Sequence, residues 1–212
     1  ISFPKEATSM SLSVTIDASK LSCGEYILPL HLCNLSNKHF ETDTQNDIVL
    51  LGVKYVLKKL DVKVNQLSTN SVEDGDGTGL SGLIDGDLEG SGYFHSKWSA
   101  PVQDAVYGNY IDLNIGKTLH SLSFDYWTRK QNGNGAPQRI SLFVSNNGKD
   151  WRQLKEITQG LPSSGNTKYS SAIFTDEEGF SYVRFAVLVS AAGDMTNSQS
   201  YFNLHELTFY GE

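Results

Sequence analysis

Charge, and positive charge above all, is scarce in this sequence. Asp, Glu, Lys and Arg make up 19% of its 212 residues, and 17 Lys and Arg stand against 24 Asp and Glu, giving a net charge of −7. A protein that binds nucleic acid needs a concentrated basic face. The densest basic run, residues 54–63, alternates lysines with apolar residues and fits the solvated side of a strand and linker. We therefore expect no nucleic acid among the partners.

Cysteine is equally rare, since Cys23 and Cys33 are the only two. Residues 25–32 between them have the composition of one strand, which at about 3.3 Å per residue holds its ends roughly 30 Å apart. A disulfide requires Cα atoms within about 7 Å of each other. We therefore predict that the two cysteines do not pair, and they form no metal-ligand spacing with the five histidines.

Long hydrophobic runs are also missing. No stretch approaches the roughly 20 apolar residues of a membrane helix, so we expect no membrane insertion by this chain. The sequence opens at Ile1-Ser-Phe-Pro without a starting Met and without a secretion signal, and an export signal removed upstream is one interpretation. The sequence leaves the oligomeric state open.

Glycine and aromatic residues, by contrast, are abundant, with 19 Gly, 10 Tyr and 10 Phe in a chain that is 39% hydrophobic. This composition favours short strands joined by tight turns, and therefore an all-β fold. Residues 1–60 contain four strand-like runs, which predict a small N-terminal β-sandwich or a sandwich fragment of marginal stability. The runs are Ile1–Phe3, Met10–Asp17, Tyr26–Cys33 and Ile48–Leu57.

A larger domain is predicted over residues 72–212, after a polar linker at residues 61–71 that could itself pair as a strand. The domain begins with a glycine-rich segment, residues 73–99, which excludes a helix and predicts structured loops. Period-two runs then follow at intervals typical of a β-sandwich. The predicted strands are Tyr110–Ile115, Leu119–Thr128, Gln138–Ser145, Trp151–Ile157, Tyr169–Thr175, Ser181–Ser190 and Phe202–Tyr210.

Four motifs follow one another along residues 65–212. They are Leu83-Ile-Asp-Gly-Asp with Tyr93-Phe-His-Ser-Lys-Trp, Tyr110-Ile-Asp-Leu-Asn-Ile-Gly, Ile140-Ser-Leu-Phe-Val-Ser-Asn-Asn-Gly-Lys-Asp-Trp, and Tyr182-Val-Arg-Phe with the closing Phe202-Asn-Leu-His-Glu-Leu-Thr-Phe-Tyr-Gly. In this order and spacing they resemble the coagulation factor V/VIII type C domain, also called discoidin-like or galactose-binding-like, which overlaps with a large group of bacterial carbohydrate-binding modules. The resemblance implies a discoidin-like jelly-roll β-sandwich that holds its ligand on loops.

The N-terminal part carries a second resemblance. Val14-Thr-Ile-Asp-Ala-Ser-Lys-Leu and Gly24-Glu-Tyr-Ile-Leu-Pro-Leu are similar to the end of a domain of unknown function found in surface lipoproteins of gut Bacteroidetes. This resemblance implies a bacterial protein that is secreted or displayed at the cell surface, either as an outer-membrane lipoprotein or facing the periplasm.

Asp85-Gly-Asp87 places carboxylates at alternate positions around a glycine, an arrangement suited to calcium, which takes about six to eight oxygen ligands from a bent backbone. The resembled family holds a structural calcium at this loop, assisted by a Glu before the last strand, and the matching residue here is Glu206. Leu83 and Ser91 are implied as further carbonyl or hydroxyl donors. The alternative is an Asp-Gly turn without a metal, whose side chains bond the backbone.

Two loops carry the side chains expected to hold a ligand. Sugars stack on aromatic faces while charged and amide groups bind their hydroxyls, and His95, Lys97 and Trp98 offer that combination. Either His95 or Trp98 contacts the ligand, or both only fix the loop. Arg129 and Asn132, in the loop after residue 128, can bond vicinal hydroxyls, with an exposed polar turn as the alternative. Tyr201 is a further candidate.

Catalysis is not expected from this sequence. Glycoside hydrolysis needs two carboxylates about 5–10 Å apart in a cleft, and no convincing pair is evident. Gly-x-Ser-x-Gly, HExxH and phosphate-loop motifs are absent. Asp74–Gly79 lacks the offsets and flanking helices of an EF-hand and is interpreted as a solvated turn, with further ligands to the same calcium as the alternative.

Three functions remain open at this point. The first is a non-catalytic carbohydrate-binding or adhesion module that attaches a cell-surface protein to a glycan or glycoprotein. The second is protein–protein adhesion, which predicts an exposed apolar patch of several hundred Å². The third is a structural spacer, which predicts that the aromatic side chains of the loops are buried.

Overall fold

The computed structural model describes residues 11–16, 24–31, 48–100, 104–130, 135–194 and 201–212. The chain divides into two compact units, Ile1–Val56 and Leu57–Glu212, here called the N-terminal and C-terminal units. Within the described ranges the regular structure is β-strand, apart from 3-10 turns at Val64–Gln66 and Gly79–Leu83. The all-β prediction is confirmed. None of the helical turns in those ranges is long and apolar enough to span a membrane.

The N-terminal unit contains an antiparallel pair, β1 (Gly24–His31) and β2 (Ile48–Tyr55), in register from Gly24 opposite Tyr55 to His31 opposite Ile48. These strands overlap the predicted runs at 26–33 and 48–57. The prediction of a strand at 10–17 is wrong over its described part, because residues 11–16 form no strand. No strand among the described residues pairs with them, so alternation alone does not make them a strand. Residues 1–3, Cys23 and Cys33 lie outside the described residues.

Ten strands form the sheet structure in the described part of the C-terminal unit. They are β3 (Lys58–Lys59), β4 (Leu67–Thr69), β5 (Phe94–His95), β6 (Asn109–Thr128), β7 (Pro137–Ser145), β8 (Arg152–Ile157), β9 (Lys168–Ser170), β10 (Phe174–Ser190), β11 (Gly193–Asp194) and β12 (Asn203–Gly211). The main order is β3-β12-β6-β10-β7-β8, with β4 and β9 also pairing β6, β5 pairing β12, and β11 pairing β10.

β6 joins two predicted strands into one. Its first part pairs β4 and its second part pairs β12 and β9, while β10 pairs residues of both parts. Gly116, at φ 76°, lies at the bend between them and donates its N–H to Asn114 Oδ1. The buried positions are odd-numbered at Ile111, Leu113 and Leu119 and even-numbered from Leu122 onward. The change of phase between Leu119 and Leu122 keeps apolar side chains of both parts directed into one core.

The core is rich in aromatic side chains. Phe124 lies 5.3 Å from Phe185 between ring centres, and Phe94 lies 5.4 Å from Phe202. The period-two positions of the predicted strands are buried apart from the half-buried Val189: Leu122, Phe124, Tyr126, Ile140, Leu142, Val144, Val183, Phe185 and Val187. The predicted strand at 169–175 differs, because it is divided between β9 and the start of β10. β10 then continues as one irregular strand, with shifts of register between Thr175 and Tyr182.

Candidate functional site

Three distant segments meet where β12 begins. β12 pairs β5 with Asn203 opposite His95, and it pairs β6 with Leu204 opposite Thr128. This pairing brings together the glycine-rich segment, the loop that follows β6 and the chain that precedes β12. These are the segments in which the ligand residues were predicted.

Glu73 fixes the backbone of the loop that carries Trp98. Its Oε2 accepts the N–H groups of Trp98 and Ser99 at 2.9 and 2.8 Å, and its Oε1 accepts the Ser99 hydroxyl at 2.8 Å. The hydrogen bond from the Ser99 backbone is the largest influence on the Glu73 carboxyl, and the net effect is a pKa below the usual range. Glu73 therefore accepts these bonds as a carboxylate.

Asp76 lies between two of the predicted ligand residues. Its Oδ2 accepts the indole N–H of Trp98 at 3.0 Å, and its Oδ1 accepts the Tyr93 hydroxyl at 2.5 Å. Arg129 Nη2 donates to the same hydroxyl at 2.7 Å, and Nη1 lies 3.5 Å from Asp76 Oδ1. The Arg129 guanidinium also lies 3.9 Å from the centre of the Tyr93 ring. Burial favours the neutral acid, but the bonds from Tyr93 and Trp98 hold the pKa of Asp76 below its usual range.

Trp98 combines exposure with a fixed edge. The residue is 49% exposed, although its indole N–H and its backbone N–H both have partners. An indole held along one edge with much of its surface open can stack against a flat apolar ligand face. Arg129, by contrast, is mostly buried and already bonded to Tyr93 and Asp76.

His95 is 3% exposed, which favours the alternative that it fixes the loop. Its Nδ1 lies 2.6 Å from the carbonyl oxygen of Ser96 and donates to it, while Asn203 Nδ2 donates to its Nε2 at 3.2 Å. Burial is the largest influence on this imidazole and lowers the pKa of His95. Asn203 Oδ1 is buried and has no hydrogen-bond partner among the described residues.

Two of the remaining predicted ligand residues are half-buried. Lys97 is half-buried, and its backbone N–H donates to Ser71 Oγ at 2.8 Å. Tyr201 is half-buried with its ring 5.7 Å from that of His95. Asn132 lies outside the described residues.

The predicted calcium residues form two separate arrangements. Asp87 Oδ1 accepts the N–H groups of Glu89 and Gly90 at 2.9 and 3.0 Å, as in a turn stabilised by its own side chain. Those bonds lower the pKa of Asp87. Glu206 instead faces Asp85, and burial first, then the neighbouring Asp85, raise the pKa of Glu206 to about 7.

The chemistry of this second arrangement fits a hard cation in part. Paired carboxylates at Asp85 and Glu206 are oxygen donors that calcium prefers, and a groove of about 410 Å³ lies beside them, lined also by Asp61. Leu83 is fully buried, and the Ser91 carbonyl already accepts the Tyr93 N–H. Across the described ranges, no group of three or more His, Cys, Asp or Glu side chains is placed to hold a metal ion. A cation here would therefore need backbone carbonyls in addition to the two carboxylates.

The sequence interpretation missed Glu73, Asp76 and Tyr93. It treated residues 74–79 as a solvated turn, and this is wrong for Asp76, which bonds Trp98 and Tyr93 and lies beside Arg129. The signal available in the sequence was the alternation of acids with glycines. That pattern allows a tight turn but does not identify which side chain the carboxylate bonds.

Comparison with known proteins identifies one family. The model of the F5/8 type C domain matches residues 66–205. No curated protein matches the chain.

Several solved structures share the fold of the C-terminal unit. CpGH89CBM32-5 from Clostridium perfringens, in complex with GalNAc-β-1,3-galactose, is 18% identical with a TM-score of 0.54, covering 72% of this chain and 99% of that one. The family 32 CBM of C. perfringens NanJ, in complex with galactose, is 19% identical with a TM-score of 0.52 and coverages of 73% and 99%. CBM32-3 from a C. perfringens family 31 glycoside hydrolase is 21% identical with a TM-score of 0.54 and coverages of 73% and 95%.

Proposed function

This chain belongs to the F5/8 type C domain family, as the resemblance of its motifs predicted, and on that premise we propose that its C-terminal unit is a non-catalytic carbohydrate-binding module. The ligand lies on the loops at the start of β12, against the indole of Trp98. The observation that carries this proposal is a half-exposed tryptophan whose edge is fixed by Asp76 and whose backbone is fixed by Glu73. Aromatic platforms with nearby polar groups are the usual means of binding a sugar ring.

The distribution of exposed apolar side chains supports a sugar more than a protein partner for this unit. Its large exposed hydrophobic residues in the described ranges are Val64, Trp98, Val106 and Ile173. Four such side chains are few for the continuous apolar patch of several hundred Å² that protein adhesion predicts. A spacer role predicted buried loop aromatics, and Trp98 is not buried.

Terminal galactose and N-acetylgalactosamine are the first ligands to test. Two structures that share the fold hold galactose and GalNAc-β-1,3-galactose. A module of this kind would serve a protein that is secreted or displayed at the bacterial cell surface, where glycans are available.

We also propose that a structural calcium ion binds at Asp85 and Glu206. The two neighbouring carboxylates repel each other, and a bound cation would remove that repulsion. The adjoining groove gives the ion access. The ion would fix the loop against β12 and take no part in chemistry.

The test of sugar binding is a glycan array, followed by calorimetric titration of galactose and GalNAc-β-1,3-galactose. We expect binding by the wild type and loss of at least about tenfold in affinity in Trp98→Ala, because most of the stacking area is removed. Trp151→Phe, whose ring packs against the Arg184 guanidinium, is the matched control and should bind as the wild type does. Equal binding by wild type and Trp98→Ala would refute this location, and a folded protein that binds nothing on the array would refute the function.

A further inference from the structure

One carboxylate links the two loops of the candidate site. Trp98 and Arg129 are more than thirty positions apart in the sequence, yet the side chains of both lie against Asp76. Asp76 Oδ2 accepts the Trp98 indole N–H, and Asp76 Oδ1 accepts the Tyr93 hydroxyl that Arg129 also bonds. A displacement of Arg129 would therefore disturb the partner that holds Trp98.

We propose that Asp76 is a positioning residue, which sets the orientation of the Trp98 indole before the ligand arrives and couples that orientation to Arg129. This inference rests on the proposed function, since it assigns Trp98 the role of ligand platform. It adds a residue that does not itself contact the ligand, and a route by which the loop after β6 influences binding.

The backbone around Asp76 is built to deliver this carboxylate. Gly75 and Gly77 flank it with φ of 83° and 89°, a conformation that L side chains rarely adopt. A Cβ on Gly77 would lie 2.3 Å from the carbonyl oxygen of Tyr93, and the Thr78 N–H donates to that same oxygen at 3.0 Å. The loop is thus held close against Tyr93, and Asp76 has little freedom to point elsewhere.

A purely structural role for Asp76 accounts less well for the contacts. The Arg129 Nη1–Asp76 Oδ1 separation of 3.5 Å exceeds the roughly 2.7–2.9 Å of a hydrogen-bonded ion pair. The shorter contacts are to Tyr93 and to the indole N–H of Trp98, a side chain that burial does not immobilise. Fixing such a side chain in advance removes an entropy cost from binding.

The expected effect of losing this carboxylate follows from that entropy cost. Freeing one side chain of this kind corresponds to roughly a threefold to tenfold loss of affinity. Asp76→Ala should show this loss for galactose or GalNAc-β-1,3-galactose by calorimetry. Asp76→Asn, which keeps an oxygen acceptor for the indole, should recover part of it. Asp74→Asn, an exposed acid two positions away, is the matched control and should bind as the wild type does.

The decisive measurement does not need the ligand. In protein labelled with ¹⁵N-tryptophan, the Trp98 indole resonance is identified by its absence in Trp98→Phe. We expect Asp76→Ala to move that resonance and to speed its exchange with solvent. Arg129→Gln should also move it, but only while Asp76 is present, because the coupling passes through that carboxylate.

The outcomes separate the two proposals. An unchanged Trp98 resonance in Asp76→Ala, or a shift with Arg129→Gln that persists without Asp76, would overturn the positioning role whatever the ligand proves to be. Sugar binding that survives Trp98→Ala would instead overturn the proposed site and leave the resonance test standing. If Asp76→Ala fails to fold, Asp76→Asn and Arg129→Gln give the same two readouts.

Discussion

Gly86 and Glu206 are joined by a hydrogen bond of 2.5 Å, in which the glycine N–H donates to Oε1 of the glutamate across 120 positions of sequence. This bond fixes the Asp-Gly-Asp loop to β12. It also places the half-buried Glu206 beside the exposed Asp85.

Calcium should stabilise the folded protein through this pair. At about 100 times the dissociation constant, the gain in the free energy of unfolding is about 2.7 kcal/mol. We expect calcium to raise the melting temperature of the wild type, and chelator to reverse the rise. Glu206→Gln removes one donor charge and should abolish most of the response.

Glu177→Gln is the matched control for that experiment, because Glu177 is an exposed acid remote in sequence from the pair. Its response to calcium should equal that of the wild type. A calcium-induced shift of full size in Glu206→Gln would argue against the assignment.

His95 should make the protein sensitive to acid. Burial lowers the pKa of His95, while Asp76 and Glu73 oppose that shift and Arg129 adds to it. Below the ordinary pKa of 6.5, His95 is protonated in the unfolded chain but stays neutral in the folded chain. Acid therefore favours the unfolded state, and the stability that this residue contributes is lost as the pH falls from that value.

Urea unfolding of the wild type and of His95→Gln between pH 5 and 8 measures this contribution. The difference in unfolding free energy between them should change across that range and be smallest at the acid end. A difference that stays constant with pH would contradict the burial of a neutral imidazole.

Among the described ion pairs, loss of the one between Arg184 and Asp112 should lower the free energy of unfolding most. The guanidinium donates to both carboxylate oxygens at 2.7 and 2.8 Å and lies 3.6 Å from the centre of the Tyr110 ring. Burial is the main influence on Asp112 and raises its pKa despite the ion pair. Asp112→Asn leaves a buried guanidinium without its counter-charge, and the expected cost is about 3–5 kcal/mol.

Chemical denaturation compares that variant with Glu156→Gln, which breaks the more exposed pair with Arg139. The second change should cost less than about 1 kcal/mol. If the two variants lose similar unfolding free energies, the Arg184–Asp112 pair is not shielded from water in the way that the structure shows.

Gly135→Ala should weaken ligand binding without touching the ligand. A Cβ at this position would lie 2.1 Å from Nδ2 of Asn203, which bonds His95 beneath the site. We expect lower affinity and a lower melting temperature. Gly52→Ala, where a Cβ meets nothing within 4 Å, is the control and should be close to neutral.

Local alternation was enough to predict much of the core from the sequence. Val183, Phe185 and Val187 recur with period two, and a strand turns every second side chain to the same face wherever it lies in a sheet. The continuity of β6 was not predictable in this way. Gly116 sits among polar residues that favour a turn, and pairing with other strands on both sides of the turn decides that the strand continues.

The site was predictable as a set of loops but not as a set of contacts. Trp98 and Arg129 were identified because their chemistry suits a sugar wherever they point. The bonds from Glu73 and Asp76 to the Trp98 residue span 25 and 22 positions. Such bonds depend on how the loop packs, which the residue composition does not indicate.

The pairing of β3 with β12 also decides how the C-terminal unit would respond to a pull. Lys58 lies opposite Gly211, so the start of β3 and the end of β12 lie at the same end of an antiparallel pair. Tension applied at these two residues would open that pair one hydrogen bond after another, because the load falls at one end and does not shear all the bonds together. Asn203 and His95 lie at the other end of β12, about 26 Å away at 3.3 Å per residue. The β3–β12 pair would therefore separate first, while the loops that carry Trp98 keep their geometry under load.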